Sequence, residues 1–428
     1  MKINTAVLYI NTEFWLFLRV ETIGIYQIKN PYFLKTISII ELFYHAEVLR
    51  ESILRFKNET FQLQIFTTAK ILKNTGLDTE SLPNVKFYLH NGKTNFISYF
   101  SKYKNELDNS DIVVINTLAY NLKSFNSLNG SYKIILRLHN TNRWFQSVKE
   151  NYRLIISPYM IWKDISYSLR LGLGLGDFFY RKKIIKKIDY FAFANDHLRQ
   201  YALNKFNLEH HKTIVLPFSN INDTPKKEIK SNVSDQVTFI IIGKIDFRKR
   251  DYLTIYEAFK SINFNQHSIK NVRLIFAGSA NSNYGKDIIS KFKAIDQKHF
   301  EVIYFNHFLP QSELEQLIQS THFFIAPINI DTRFRIYTEE YGTTKQSGVF
   351  GDILRFQKPT LLPSKVEKEA IWKEVTYCYK DTNDLQHLII DILNQKLKPH
   401  NFHRLRDTFS RSAINEQTME SIEHILKN

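Results

Sequence analysis

The chain has 428 residues, of which 43% are hydrophobic and 14% aromatic, so it is long enough for two folded domains and too apolar for a disordered protein. Its formal net charge of +16 favours anionic partners without defining their class. A single cysteine, Cys378, excludes intrachain disulfides and cysteine-based zinc sites, and no uncharged run is long enough to span a membrane. These properties favour a protein of the reducing cytoplasm.

The first half of the chain alternates strand-like and helix-like patterns after a segment, 1–35, that we treat as an N-terminal extension of uncertain structure. Strands are predicted at 37–43, 61–67, 85–89, 111–116, 133–138, 190–194 and 213–216. Helices are predicted at 46–57, 95–107 and 196–205. We therefore predict a Rossmann-like N-terminal domain over 36–220, followed by a polar linker over 221–236.

The second half alternates more regularly, beginning with an apolar run at 237–243 that ends in glycine, as a strand buried on both faces would. Further strands are predicted at 272–278, 301–305, 322–327, 359–362 and 375–379. Helices are predicted at 251–262, 284–295, 311–320, 367–373 and 383–396. The alternation predicts a second Rossmann-like domain with a parallel, doubly wound sheet over 237–396. A last helical pattern within 397–428 is long enough to cross back onto the first domain.

The stretch 341–363 combines features of a phosphate site and a ribose site. Small residues surround one cation, Lys345, and they are Gly342, Thr343, Thr344, Ser347 and Gly348. A helix should follow, with the carboxylate of Asp352 in its first turn and its end near Gln357. Amides at a helix start bind anions, and a carboxylate can accept hydrogen bonds from the two hydroxyls of a sugar diol. This predicts a nucleotide diphosphate site, against the alternative of an ordinary loop and helix cap.

A cluster of cations follows the strand at 237–243. Gly243 ends the strand, and Lys244, Arg248, Lys249 and Arg250 come within the next seven positions. Cations at the carboxyl end of a parallel strand project into the crevice where such sheets bind ligands, and they would stabilise a departing nucleoside diphosphate. A solvated loop is the alternative interpretation.

Two histidines are candidates for the side of the cleft that holds the acceptor. His139 and Asn140 end the strand at 133–138, and His45 follows the first regular strand. Both histidines should lie at the carboxyl edge of the first sheet, although a lone histidine is more often structural than catalytic.

Residues 157–188 place an aromatic-rich segment before a run of lysines alternating with apolar residues. This composition suits the surface of an anionic bilayer. A solvated helix face explains it equally well.

Together these motifs resemble the retaining glycosyltransferases that have two Rossmann-like domains facing across a cleft (the GT-B fold), close to glycosyltransferase family 4. The resemblance is strongest over 237–363 and weaker over 36–220. Lys244 and Lys249 occupy the places of an Arg and a Lys that hold the donor pyrophosphate in that family, and Asp352 matches an acid expected to bind ribose. Thr344 stands where the family has another acid, with Glu339 and Glu340 as candidates to replace it from the loop.

The resemblance implies transfer of a hexosyl-type sugar from a nucleotide diphosphate sugar to a glycan or lipid-linked acceptor, with retention, in bacterial surface polysaccharide synthesis at the cytoplasmic membrane face. His139 is expected near the reacting sugar, with Gly243, Ser347 and Gly348 near the phosphates. No Asp-x-Asp motif occurs, so we expect no metal, and we expect no cofactor beyond the donor substrate and no nucleic acid partner. The alternatives are a basic nucleic-acid-binding protein and a non-catalytic relative.

Overall fold

A computed structural model describes residues 16–18, 26–28, 35–57, 61–147, 161–173, 177–221, 235–295, 298–334, 336–366, 369–397 and 401–427. Most of the extension predicted at 1–35 and most of the linker predicted at 221–236 lie outside the described residues. Within the extension, strands β1 (Leu16–Leu18) and β2 (Tyr26–Ile28) form an antiparallel pair.

The first domain is built on a parallel sheet of seven strands. The strands are β3 (Lys35–Glu41), β4 (Phe61–Thr68), β5 (Val85–His90), β6 (Ile112–Ile115), β7 (Lys133–Arg137), β8 (Tyr190–Phe193) and β9 (Thr213–Val215). They lie in the order β5-β4-β3-β6-β7-β8-β9, so the chain reverses direction across the sheet between β3 and β6. The central strands are short apolar runs because helices cover both of their faces.

The helices of this domain occupy the connections between its strands. They are α1 (Ala46–Phe56), α2 (Ala69–Thr75), α3 (Phe96–Lys102), α4 (Lys104–Asp108), α5 (Leu122–Asn126), α6 (Thr141–Phe145), α7 (Ile161–Gly172), α8 (Asp177–Lys187) and α9 (Asp196–Phe206). The single helix predicted at 95–107 is therefore two helices that meet at Tyr103.

The second domain repeats the plan with a parallel sheet of six strands. The strands are β10 (Gln236–Ile242), β11 (Asn271–Ser279), β12 (Phe300–Phe305), β13 (Phe323–Ile325), β16 (Thr360–Pro363) and β17 (Thr376–Tyr379), while β14 (Asp331–Phe334) and β15 (Tyr337–Glu340) form a separate antiparallel hairpin. Their order is β12-β11-β10-β13-β16-β17, which reverses between β10 and β13. Ligands of doubly wound sheets bind at such reversal points, at the carboxyl ends of the strands.

In the described part of this domain, five α-helices accompany the sheet. They are α10 (Tyr252–Lys260), α11 (Asn283–Lys293), α12 (Gln311–Gln319), α13 (Gly348–Phe356) and α14 (Thr382–Leu393). The helix predicted at 367–373 is instead a short 3-10 helix at Ala370–Glu374. Helix α13 ends at Gln357 in the left-handed conformation, as predicted.

The chain then returns to the first domain, as predicted. The final helical pattern forms α15 (His403–Phe409) and α16 (Arg411–Lys427) with a break at Ser410. Ile422 and Ile425 of α16 are fully buried in the core beneath the first sheet. None of the helices in the described ranges combines the length and the apolar character needed to cross a bilayer.

Candidate functional site

The carboxyl edges of the two sheets face each other across a cleft at the two reversal points. A C-terminal compartment of about 490 Å³ is lined by the second domain around Gly243, Arg250 and Ala326. An N-terminal compartment of about 320 Å³ is lined on one side by His45, His139 and Phe218. The compartments adjoin because they share lining residues, which are Glu47, Lys249, Tyr341, Ser347, Gly348 and Asp352.

The start of α13 supplies the anion-binding feature of the cleft wall. Ser347 caps the helix by accepting a hydrogen bond from the amide of Val349, and no atom lies within 4 Å of where a side chain would begin at Gly348. The first amides of a helix have no intrahelical acceptor, and the helix dipole favours negative charge there. This end of α13 can therefore receive an anion.

The preceding turn does not form the phosphate cradle predicted from the sequence. The amides of Thr343, Thr344 and Lys345 all donate to the carbonyl oxygen of Glu340, and that of Gly342 donates to the carbonyl of Lys345. These amides are consumed within the turn, so they cannot bind a phosphate as well. Residues Glu340, Gly342, Thr343 and Thr344 are also outside the lining of both compartments in the described structure.

The cation-rich loop after β10 divides into residues that reach the cleft and residues that do not. Lys249 and Arg250 line it, and the Arg250 guanidinium covers Gly243 so closely that an added Cβ would lie 2.6 Å from its Nη2. Lys244 is exposed outside the described lining, and Arg248 forms an ion pair with Asp246 at 2.6 Å. The turn begins at Gly243, whose φ of +97° favours glycine.

Arg250 is therefore a candidate binding residue that the family pattern does not contain. The density of cations after the strand pointed to this loop, but sequence spacing alone could not identify which side chain turns inward.

Asp352 is the fifth residue of α13, one turn inside the helix, whereas the sequence predicted it in the first turn. It lines both compartments near Arg250. Burial raises the pKa of Asp352 to about 7, although Arg250 and Arg355 act in the opposite direction. The carboxyl group can thus change its charge near neutral pH.

His139, Asn140 and His45 lie together in the N-terminal compartment, as predicted from the strand ends. The His139 ring stacks on His45, with centroids 4.4 Å apart, and on Phe218 at 4.8 Å. Nε2 of His139 is 2.8 Å from the carbonyl oxygen of Asn116. A carbonyl oxygen only accepts, so Nε2 carries the proton and Nδ1 is left as an acceptor.

Burial lowers the pKa of His139 well below its usual range, and His45 adds to the effect. The ring is therefore neutral at physiological pH. Nearby, Nδ1 of His45 lies 2.8 Å from Oε1 of Glu47.

Glu339 connects the two domains instead of lining the cleft. Its buried carboxylate accepts hydrogen bonds from the hydroxyl of Thr344 at 2.6 Å and from the amide of Arg143, in α6, at 2.9 Å. The amide of Thr141 donates back to the carbonyl of Thr344 at 3.1 Å. Burial raises the pKa of Glu339 to about 7. The Glu339 carboxylate is therefore held by hydrogen bonds at the start of α6.

The fold is shared with several solved structures. The Anabaena protein HepE in complex with UDP is similar to the chain with a TM-score of 0.56 and 12% identity, over 91% of this chain and 100% of that chain. The lipopolysaccharide outer core galactosyltransferase WaaB, in its apo form, gives a TM-score of 0.53 and 11% identity, over 91% and 99%. The N-terminal domain of Candida albicans trehalose-6-phosphate phosphatase gives a TM-score of 0.53 and 10% identity, over 92% of this chain and 97% of that chain.

These similarities show the GT-B fold. No known family profile and no curated protein sequence matches the chain. Membership of glycosyltransferase family 4 stays a prediction from the motifs.

Proposed function

We propose that this protein is a glycosyltransferase that moves a hexosyl-type sugar from a nucleotide diphosphate sugar to a glycan or lipid-linked acceptor. The observation that carries the proposal is the convergence, at the carboxyl edge of the second sheet, of the α13 start with Lys249 and Arg250, opposite a neutral His139. A diphosphate carries at least two negative charges, and two cations with a helix start complement them.

The proposed chemistry follows from this arrangement. The bond between the anomeric carbon and the donor phosphate oxygen breaks, and the nucleoside diphosphate leaves with the bonding electrons. The acceptor oxygen bonds to the anomeric carbon, and its proton passes to a donor phosphate oxygen. Fixed cations beside the leaving group stabilise the charge that develops there, which lowers the barrier.

Asp352 would accept hydrogen bonds from the ribose hydroxyls of the nucleotide, because its carboxylate lines the compartment one turn behind Gly348. His139 and Asn140 would contact the sugar or the acceptor. The relative named above that was solved with UDP supports a uridine nucleotide as the first donor to test.

The finer parts of the proposal come from the resemblance to family 4. They are the retaining course, independence of metal ions, a role in bacterial surface polysaccharide synthesis and action at the cytoplasmic face of the membrane. Ser347 and Gly348 remain proposed phosphate-binding residues of the donor site, and Lys345 lines the cleft on the side of His139.

An exposed apolar stripe supports contact with an anionic membrane. Trp162, Ile165 and Leu169 of α7 and Leu173 just after it recur at helical spacing and are 83%, 39%, 60% and 71% exposed. Exposed lysines of the adjoining α8 add positive charge. Residues 157–160 and 174–176 of the predicted surface segment lie outside the described residues.

The proposal is tested by incubating the protein with a panel of nucleotide sugars and measuring release of the free nucleoside diphosphate. We expect slow release from one donor, accelerated by a suitable acceptor, together with thermal stabilisation by the matching nucleotide. Binding of nucleotide without any release would favour a non-catalytic relative. Salt-sensitive binding of generic DNA without nucleotide binding would favour the nucleic-acid alternative.

A further inference from the structure

The charged residues that line the N-terminal compartment are mostly neutralised within the protein. Arg50 pairs with Glu51 at 2.9 Å, and Arg355 pairs with Glu315 at 2.6 Å. His45 bonds Glu47, as described above, and Glu369 accepts a hydrogen bond from the Trp372 indole at 3.1 Å. Besides Lys345, the charged lining residues without a side-chain partner in the described ranges are Lys249 and Asp352, and both of these also line the C-terminal compartment.

Lys345 differs from the paired residues. It lines the N-terminal compartment, and its Nζ forms no hydrogen bond or ion pair with any residue in the described ranges. The ammonium lies 5.2 Å from the centre of the Tyr341 ring. Burial lowers the pKa of Lys345, which means that the protein alone stabilises this charge poorly.

The acid that acts on Lys345 electrostatically, Glu339, does not compensate this charge. Its oxygens already accept hydrogen bonds from Thr344 and from the start of α6. The pKa of Glu339 is itself raised to about 7, so its negative charge is incomplete at neutral pH. An unpaired cation away from bulk water is costly unless a ligand supplies the opposite charge.

Lys345 does not share the C-terminal compartment with Arg250, although Lys249, Ser347 and Gly348 line both compartments. Gly243 and Arg250 line only the C-terminal compartment. Lys345 lines only the N-terminal compartment, close enough to His139 to lower the pKa of that ring.

We infer that the sugar residue seated beside His139, on the donor or on the acceptor, carries a carboxylate or phosphate group that pairs with Lys345. This inference rests on the proposed function.

The test compares wild type, Lys345→Met, Lys345→Arg and the surface control Lys286→Met by calorimetric titration. Lys286 is exposed on α11 and outside the cleft lining. UDP and GDP are titrated first, and then uronate and hexose esters of the nucleotide that binds, such as UDP-glucuronate and UDP-glucose. In the acceptor arm, glucose 6-phosphate and glucose are titrated in the presence of that nucleotide.

We expect an anionic ligand to bind at least about tenfold more tightly than its neutral analogue in one arm, a preference of about 1.4 kcal/mol. Lys345→Met should abolish the preference, Lys345→Arg should retain most of it, and Lys286→Met should not change it. The free nucleotide should bind all four proteins alike. The arm that shows the preference identifies donor or acceptor as the source of the anion.

Two results would overturn the inference while leaving the proposed function intact. One is equal binding of charged and neutral ligands in both arms. The other is a loss of free-nucleotide affinity in Lys345→Met as large as its loss for the sugar ester, which would make Lys345 a diphosphate ligand. If neither nucleotide binds the wild type, the proposed function fails and the inference fails with it.

Discussion

The amide of Arg143 in the first domain donates a hydrogen bond of 2.9 Å to the carboxylate of Glu339 in the second. The same carboxylate accepts from the Thr344 hydroxyl, and Asn142 Nδ2 donates to the carbonyl of Thr338 at 2.9 Å. Helix α6 follows His139 and Asn140 directly, so this contact fixes the position of the first-domain site residues against the loop that carries Lys345. The cleft geometry therefore depends on a bond between domains.

Replacing Glu339 should change how stability depends on pH. The pKa of Glu339 is raised by burial from 4.5 to about 7 in the folded protein. Its contribution to stability is therefore complete below about pH 4.5 and is lost as the pH rises through about 7. The shift corresponds to about 3 kcal/mol at most. Glu339→Gln cannot titrate, so wild type should lose stability relative to this variant between pH 5 and pH 8.

Urea denaturation at several pH values measures this difference in the free energy of unfolding. Glu80→Gln is the control, since Glu80 is exposed and should give a constant difference from wild type. A pH-independent difference between Glu339→Gln and wild type would show that Glu339 does not titrate in this range.

The family spacing and the cleft geometry make different predictions for Lys244 and Lys249. Spacing assigns both lysines to the donor pyrophosphate, whereas the described cleft lining includes Lys249 and not Lys244. On geometry, Lys249→Ala should lower transfer activity by about 100-fold, the scale seen when one stabilising group is removed from a transition state. Lys244→Ala should stay within a few-fold of wild type.

Both variants should unfold at the wild-type temperature, because both side chains are on the surface. Initial rates of nucleoside diphosphate release provide the measurement. Full activity in Lys249→Ala would refute the site assignment, and an equal loss in both variants would favour the assignment from spacing.

Asp352 should make donor binding depend on pH. Burial raises the pKa of Asp352 to about 7. The ionised fraction, which accepts hydrogen bonds from the ribose hydroxyls, therefore increases as the pH rises from 6 to 8. The affinity for a nucleotide sugar should increase over that interval in wild type, and it should be lower and independent of pH in Asp352→Asn. Calorimetric titration with a nucleotide sugar is suitable, because its esterified diphosphate has no proton to lose near neutral pH. A parallel rise in both proteins would rule out Asp352 as the titrating group.

The sequence predicted the strands of both large sheets because each one has a local signal, but it did not predict the short helices α2, α5 and α6 or the hairpin of β14 and β15. The apolar run ending at Gly243 gave β10, and Pro359 placed the end of α13 at Gln357. Periodicity alone did not reveal the breaks at Tyr103 and Ser410, since a short interruption leaves the helical spacing on each side intact.

The site was predicted less completely because composition shows neither the hydrogen bonds within a turn nor contacts between distant parts of the chain. The turn at 341–345 resembles a phosphate loop in composition, but its amides bond to Glu340. Glu339 is engaged by α6, which lies far away in the sequence. Neither partner is visible in a local pattern. His45 and His139 were correctly expected at one sheet edge, because parallel strands bring their carboxyl ends together.

The stripe on α7 should bind anionic membranes. Trp162 and Leu169 are 83% and 60% exposed on one face of a helix that adjoins basic α8. We expect wild type to sediment with vesicles of phosphatidylglycerol and phosphatidylcholine, and less so with phosphatidylcholine alone or at high salt, because exposed charges are screened. The double variant Trp162→Ser, Leu169→Ser should lose most of this binding while retaining nucleotide binding.

Phe308→Ser, which removes an 87% exposed aromatic from the other domain, is the matched control and should sediment like wild type. Equal sedimentation of all three proteins would identify the stripe as a solvated helix face.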